Sequence, residues 1–262
     1  MDAERRFRYL AAMGVPLWQR RDLPPRPPAE RPSAPPERPR SQPVAGAGPE
    51  TPPPAPPATP PGGGRTGEIV TLDWDGLRRA VAGCRACTLC ETRTQTVFGV
   101  GSPHADLMLI GEAPGADEDR AGEPFVGRAG QLLNRMLQAI GLEREQVFIA
   151  NILKCRPPGN RDPRSEEAAY CEPFLLRQIA LLSPKVILAL GRVSAQGLLR
   201  TDASIGRLRG RWHRFADAGV PLYVTYHPAY LLRTPAQKAA AWQDLQAVRR
   251  RLSQPIAPAG RE

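Results

Sequence analysis

The chain has 262 residues, with 31 prolines, 24 glycines and 36 basic against 26 acidic side chains, a formal net charge of +10. That length holds one substantial domain plus irregular segments and excludes a disulfide-built miniprotein. The charge favours a polyanionic partner, although arginine-rich composition alone points only weakly to nucleic acid.

Asp2 to Arg21 read as a short helix, with Phe7, Leu10 and Met13 forming an apolar stripe and Trp18 following, so residues 1–22 form a helical leader. Between Pro24 and Pro61 there are 17 prolines and no aromatic side chain. Such a stretch cannot build a core, and residues 23–66 are expected to be a mobile, partly extended tether. Residues 67–252 carry the folded domain, and 253–262 form a flexible tail. Arg5, Arg6 and Arg8 precede no apolar run, and nowhere do 18 consecutive apolar residues occur. Secretion and membrane spanning are therefore not expected, and a cytoplasmic location is.

Within the domain, Trp74, Leu77 and Val81 suggest a helix leading into the first cysteines. Ala105 to Gly111 is a short apolar run closed by Gly111-Glu-Ala-Pro-Gly115, which predicts a buried strand delivering a loop at its carboxyl end. Gly130 to Ile140 has helical spacing and Gly141 to stop it, and Val147 to Asn151 reads as a second strand. Ser165 begins a helix running towards Leu182, with Glu166 and Glu167 set against its amide dipoles, and Lys185 to Leu190 make a third strand. After a basic loop from Arg207 to Arg214, Pro221 to Tyr226 supply a fourth strand and Gln237 to Arg250 a closing helix. Strands alternating with helices predict an α/β fold, a three-layer α-β-α sandwich around a central four-stranded parallel sheet. Ligands of such sheets gather at the carboxyl ends of strands, which singles out the loops after Ile110, Ala150 and Tyr226.

Five cysteines, Cys84, Cys87, Cys90, Cys155 and Cys171, form an odd set whose grouping suits metal chemistry in a reducing compartment better than disulfides. Cys84, Cys87, Cys155 and Cys171 offer four thiolates for either a tetrahedral zinc or a four-iron cluster, and the same local spacing in Cys87-x2-Cys90 leaves the choice of ligands open. Gly111 to Gly115, followed by Asp117, Glu118 and Asp119, lacks the lysine of a phosphate-binding Walker loop, but it permits close backbone approach to a planar ligand. Phe125 lies between chain breakers, which suits an aromatic wall over a base as well as a core anchor. Asn151 ends a strand, where its amide can read adjacent donors and acceptors or satisfy a turn. His227 follows a strand and can donate to an oxygen that becomes anionic, or be structural. Arg207, Arg209, Arg211 and Arg214 alternate along their loop, and either phosphate contacts or a solvated face accounts for them.

In combination these blocks resemble the bacterial and archaeal iron-sulfur uracil-DNA glycosylases called family 4. The resemblance rests on Gly111-Glu-Ala-Pro-Gly115, Pro124-Phe-Val-Gly-Arg-Ala-Gly130, Asn151-Ile-Leu-Lys-Cys-Arg-Pro-Pro158 and His227-Pro-Ala-Tyr-Leu-Leu-Arg233, in that order, and it covers about Cys84 to Arg250. It implies a monofunctional enzyme that hydrolyses the N-glycosidic bond of flipped-out uracil in single- or double-stranded DNA and so initiates base excision repair. By the same resemblance Cys84, Cys87, Cys155 and Cys171 would ligate a [4Fe-4S] cluster, with Cys90 spare. Phe125 would stack on the base, Asn151 would read its polar edge beside Gly111 and Ala113, and His227 would stabilise the uracil oxygen. Glu112 and Glu118 match acidic positions near the reacting sugar. Arg207, Arg209, Arg211 and Arg233 are the candidate contacts to the DNA backbone. The leader and tether are expected to recruit a repair or replication partner, with the enzyme near the nucleoid. Two other functions remain compatible with the residues, excision of other deaminated bases and a non-enzymatic DNA-binding module.

Overall fold

The computed structural model describes residues 63–215 and 219–254. The expected leader, the tether as far as residue 62 and the end of the tail lie outside the described residues. Helix α1 spans Gly63–Thr71, so residues 63–66, expected in the tether, open a helix. Helix α2, Trp74–Ala82, begins where the Asp73 carboxylate accepts from the Gly76 N–H at 2.7 Å, and it buries Leu77 and Val81. A short helix α3, Leu89–Thr92, follows the first cysteines.

Among the described residues the sheet has six strands: β1 Val100–Gly101, β2 Leu107–Gly111, β3 Phe148–Asn151, β4 Val186–Leu190, β5 Trp212–Arg214 and β6 Pro221–Thr225. Their spatial order is β1-β3-β2-β4-β6-β5. The inner four are parallel, but β1 lies antiparallel to β3 and β5 antiparallel to β6. This corrects the expected four-stranded, purely parallel sheet. The inner strands are buried at every position but Pro221 and read as largely apolar runs. β1 is two residues long, and β5 alternates exposed and half-buried positions, so neither carries that signal.

Successive residues of each inner strand face opposite layers. Met108, Ile110, Phe148, Ile187 and Val224 pack beneath α1, α2 and the long helix α6, Ser165–Leu182. Leu109, Ile149, Leu188 and Tyr223 pack beneath α5, Arg128–Ala139, and α10, Lys238–Leu252. Shorter helices line the carboxyl edge of the sheet: α4 Ala116–Ala121, α7 Arg192–Leu199, α8 Ile205–Leu208 and α9 Pro228–Arg233. Among the described residues no helix is long and apolar enough to cross a membrane.

From β2 the chain moves to β3 on one side, then crosses to β4 on the other. Loops leaving adjacent parallel strands in opposite directions open a crevice at their carboxyl ends.

Candidate active site

A cavity of about 790 Å³ occupies this crevice. Its floor depends on Gly111, paired in register with Asn151. A Cβ at Gly111 would come within 2.3 Å of Asn151 Oδ1 and 2.8 Å of the Phe125 ring, so only glycine lets the amide and the ring approach this closely.

Phe125 adopts φ +56°, an uncommon left-handed conformation for a bulky residue, and its surroundings hold it there. The Glu118 carboxylate accepts from the N–H groups of Gly115 at 3.1 Å, Val126 at 3.1 Å and Gly127 at 3.3 Å. From the other side the Arg144 guanidinium donates to the carbonyls of Pro124 and Phe125. The first turn of α5 completes the clamp, because a Cβ on Gly130 would lie 1.7 Å from the Phe125 carbonyl oxygen. Gly130→Ala is therefore expected to destabilise the fold by about 1–3 kcal/mol, read as a lower urea midpoint.

His227 caps the N-terminus of α9, where its Nδ1 accepts from the Ala229 N–H at 3.1 Å. The neutral ring must then carry its proton on Nε2. Burial and the nearby Arg233 push the imidazole pKa down to about 4, so it is neutral at physiological pH. Its ring lies 5.5 Å from that of Phe125 with a 31° tilt. Gly191, at φ +93°, makes room for it, since a Cβ there would meet the His227 Cβ at 2.8 Å.

Asn151 is 2% exposed, and its Oδ1 is buried without a hydrogen-bond partner among the described residues. A buried acceptor left unpaired costs about 1–3 kcal/mol, so the site is built to receive a donor there. Glu112 lies on the same cavity beside the ion pair that Arg192 makes with Asp162 at 2.6 Å. Burial pushes Glu112 up to about 7, Asp162 adding to the effect and Arg192 opposing it.

Thus the structure brings Glu112, Ala113, Glu118, Phe125, Asn151, His227 and Arg233 to one cavity, with Gly111 beneath it. The basic loop divides. Arg207 and Arg211 are exposed, whereas Arg209 bonds Asp244 at 3.0 Å, donates to the Ala240 carbonyl at 2.9 Å and stacks 4.9 Å over Tyr226. Two residues at the cavity that sequence reasoning missed are Arg192 and Tyr230, the latter stacked 5.1 Å from Tyr226. Gly191 just after β4, like Gly111 at the end of β2, was the available signal for the first.

The cysteine expectation needs correction. Cys84, Cys87, Cys155 and Cys171 do border one small cavity, with Cys90 beside them, so the distant segments meet. Yet among the described residues no group of three or more His, Cys, Asp or Glu side chains is placed to hold a metal ion, which overturns the expected [4Fe-4S] cluster and the iron-sulfur description. The thiols instead take part in protein contacts. Arg93 Nη1 donates to Cys155 Sγ at 3.0 Å and Arg65 Nη2 to Cys84 Sγ at 3.3 Å. Burial pushes the Cys171 thiol up to about 12, the protonated state.

A flat aromatic wall, a buried amide and a neutral imidazole around one crevice at a sheet's switch point define a pocket for a planar heterocycle with polar edges. Residues 98–246, more than half the chain, match the family described as the uracil DNA glycosylase superfamily. The chain is 43% identical over 180 residues to a type-4 uracil-DNA glycosylase of Pyrobaculum aerophilum, covering 66% of this chain and 92% of that protein. It is 42% identical over 180 residues to one from Sulfurisphaera tokodaii, covering 66% and 82%, and 44% identical over 151 residues to one from Thermotoga maritima, covering 57% and 78%. The chain belongs to the uracil-DNA glycosylase superfamily and, within it, to the type-4 family.

Proposed function

We propose that the crevice accepts a uracil nucleotide rotated out of DNA, with Phe125 stacked on the base, Asn151 reading its imide edge and His227 taking the negative charge that develops on it. Membership of the type-4 family makes the protein a monofunctional uracil-DNA glycosylase, a hydrolase of N-glycosyl bonds that opens base excision repair. The observation that carries the assignment of residues is the orphaned, buried Asn151 Oδ1. Uracil presents an N3–H to such an acceptor and a carbonyl to the amide's N–H, whereas cytosine presents the reverse pair. Asn151→Ala is expected to lower uracil excision by at least about a hundredfold while narrowing the difference from cytosine, because sites built to bond a polar edge discriminate strongly. Single-turnover release of uracil and cytosine from matched oligonucleotides is the test, and unchanged selectivity would move recognition elsewhere.

In the reaction the bond between N1 of the base and C1′ of the sugar breaks, its electron pair leaving with the base. Water adds at C1′, and free uracil and an abasic site result. His227 Nε2–H donates to the uracil oxygen that becomes anionic. The division between the two glutamates follows from their surroundings. Glu118 has its oxygens engaged by three backbone N–H groups and acts by holding Phe125. Glu112 is the carboxylate left to orient water and favour the cationic sugar. With its pKa near 7, Glu112 loses its charge as pH falls through that value, so kcat/KM should fall below about pH 7. Glu112→Gln removes that limb and leaves a lower, flatter profile.

Arg207, Arg211 and Arg233 are the exposed cations for DNA phosphates, and Gly111 and Ala113 admit the base to the backbone. The leader and tether serve to recruit a repair or replication partner, and the enzyme works in the bacterial cytoplasm at the nucleoid.

A further inference from the structure

Lys154 is 1% exposed, and taking an ammonium out of water costs several kcal/mol unless its protons find acceptors. Its Nζ donates to the Asn151 backbone carbonyl at 2.8 Å and to Gln178 Oε1 at 2.7 Å. Gln178, wholly buried on α6, passes the connection on, its Nε2 donating to the Phe98 carbonyl at 2.8 Å. The Lys154 carbonyl accepts from the Val97 N–H at 2.8 Å, so both ends of the residue are anchored to the segment before β1. The turn leaving β3 is tied on its other side to the catalytic loop, with Ile152 N–H donating to the Gly111 carbonyl at 3.0 Å and Leu153 N–H to that of Glu112 at 3.1 Å.

Asn151 is the last residue of β3, and beyond it the chain turns away. Its side chain stands in the crevice with an acceptor that has no partner among the described residues, so besides its packing on Gly111 and Phe125 the amide's direction depends on how its own backbone is held. The contact beneath it comes from Lys154. A methionine or leucine would fill the same space without the desolvation cost, so the buried charge is accounted for by what its protons hold. Burial brings the ammonium down to about 8, in keeping with its depth.

We infer that Lys154 is a positioning residue for base recognition, its ammonium clamping the Asn151 carbonyl against Gln178 and thereby fixing the amide that reads uracil. This deepens the reading of Asn151 given above and rests on it. Lys154 touches no substrate, so its effect belongs to the base and not to the DNA backbone.

The test measures two affinities in full-length Lys154→Met, Gln178→Met, Asn151→Ala and the Lys154→Met/Asn151→Ala double variant. One is the Ki of free uracil against excision, and the other is the Kd for a duplex containing an abasic site. Lys154→Met is expected to raise the uracil Ki about tenfold and Gln178→Met about threefold, as loss of a charged and of a secondary hydrogen bond would. Both should leave the abasic Kd within about twofold, because the phosphate contacts are untouched. The double variant should be no worse than Asn151→Ala alone, since the lysine acts only through that residue. An unchanged uracil Ki in Lys154→Met overturns the inference, as does an equal weakening of both affinities or an additive double variant. Should Lys154→Met not fold, Gln178→Met decides by the same comparison. If Asn151→Ala itself leaves the uracil Ki unchanged, the reading of Asn151 fails, a result distinct from failure of the clamp.

Discussion

His227→Ala should depress the single-turnover rate of uracil release about 10²- to 10³-fold, the cost of about 3–4 kcal/mol for losing one donor aimed at a developing oxyanion. The magnitude follows from preorganisation. The ring is fixed by the Ala229 N–H on Nδ1, by Gly191 behind it and by the Phe125 ring beside it, so Nε2–H needs no reorientation as charge develops. A donor of this kind acts on the transition state more than on the bound ground state, so duplex binding should change far less than the rate. Equal activity of the alanine variant would remove His227 from the mechanism. His227→Gln, which can return an N–H to the crevice without the ring, should recover part of the loss.

The depressed pKa of His227 also has a stability consequence. Between about 4 in the folded chain and the ordinary value of 6.5, the unfolded chain binds the proton more readily, so folding stability rises with pH through this window and is lost as pH falls through it. Glu112 acts in the opposite sense. Its folded pKa near 7 lies above the ordinary 4.5, so its burial destabilises the fold increasingly as pH rises between those values. Glu112→Gln should therefore stabilise the protein at pH 8 relative to pH 4.5, measured by urea unfolding at the two values.

The inner sheet was legible because its strands are buried on both faces. The apolar runs at 105–111, 147–151, 185–190 and 221–226 differ from β2, β3, β4 and β6 by one or two residues at an end. The edge strands were not, since Trp212-His213-Arg214, exposed at both ends, carries the composition of a solvated loop. Phe125, Asn151 and His227 could be singled out as candidates because each stands at a chain breaker or strand end, and the structure brings the three to one cavity. The engagement of Glu118 by three amides, and of Lys154 by the carbonyl three residues before it, depends on loop conformations that residue order does not reveal. The cysteines show the same boundary. Thiols from two distant segments were expected to meet as metal ligands, whereas the guanidinium contacts of Arg93 and Arg65 that they make instead left no mark in the residue order.

Arg209 carries the second large expected effect, and it falls on stability. Asp244 is 1% exposed and accepts from Arg209 at 3.0 Å and from Thr225 Oγ1 at 2.9 Å. These bonds join the basic loop, β6 and α10. Removing the guanidinium strands a buried carboxylate, for which about 3–5 kcal/mol is usual. Arg209→Ala should accordingly unfold at markedly lower urea, whereas Arg209→Ala/Asp244→Leu, which removes both charges, should recover part of the loss because no buried carboxylate is left without its partner. Arg207→Ala and Arg211→Ala supply the contrast. Their side chains are exposed, so each should leave the unfolding midpoint near that of the parent and instead reduce the salt dependence of DNA binding by about one counterion. If Arg209→Ala kept its stability but lost the salt slope, the guanidinium would be reaching phosphate in solution, and the Asp244 pair would not be what holds that loop to the sheet.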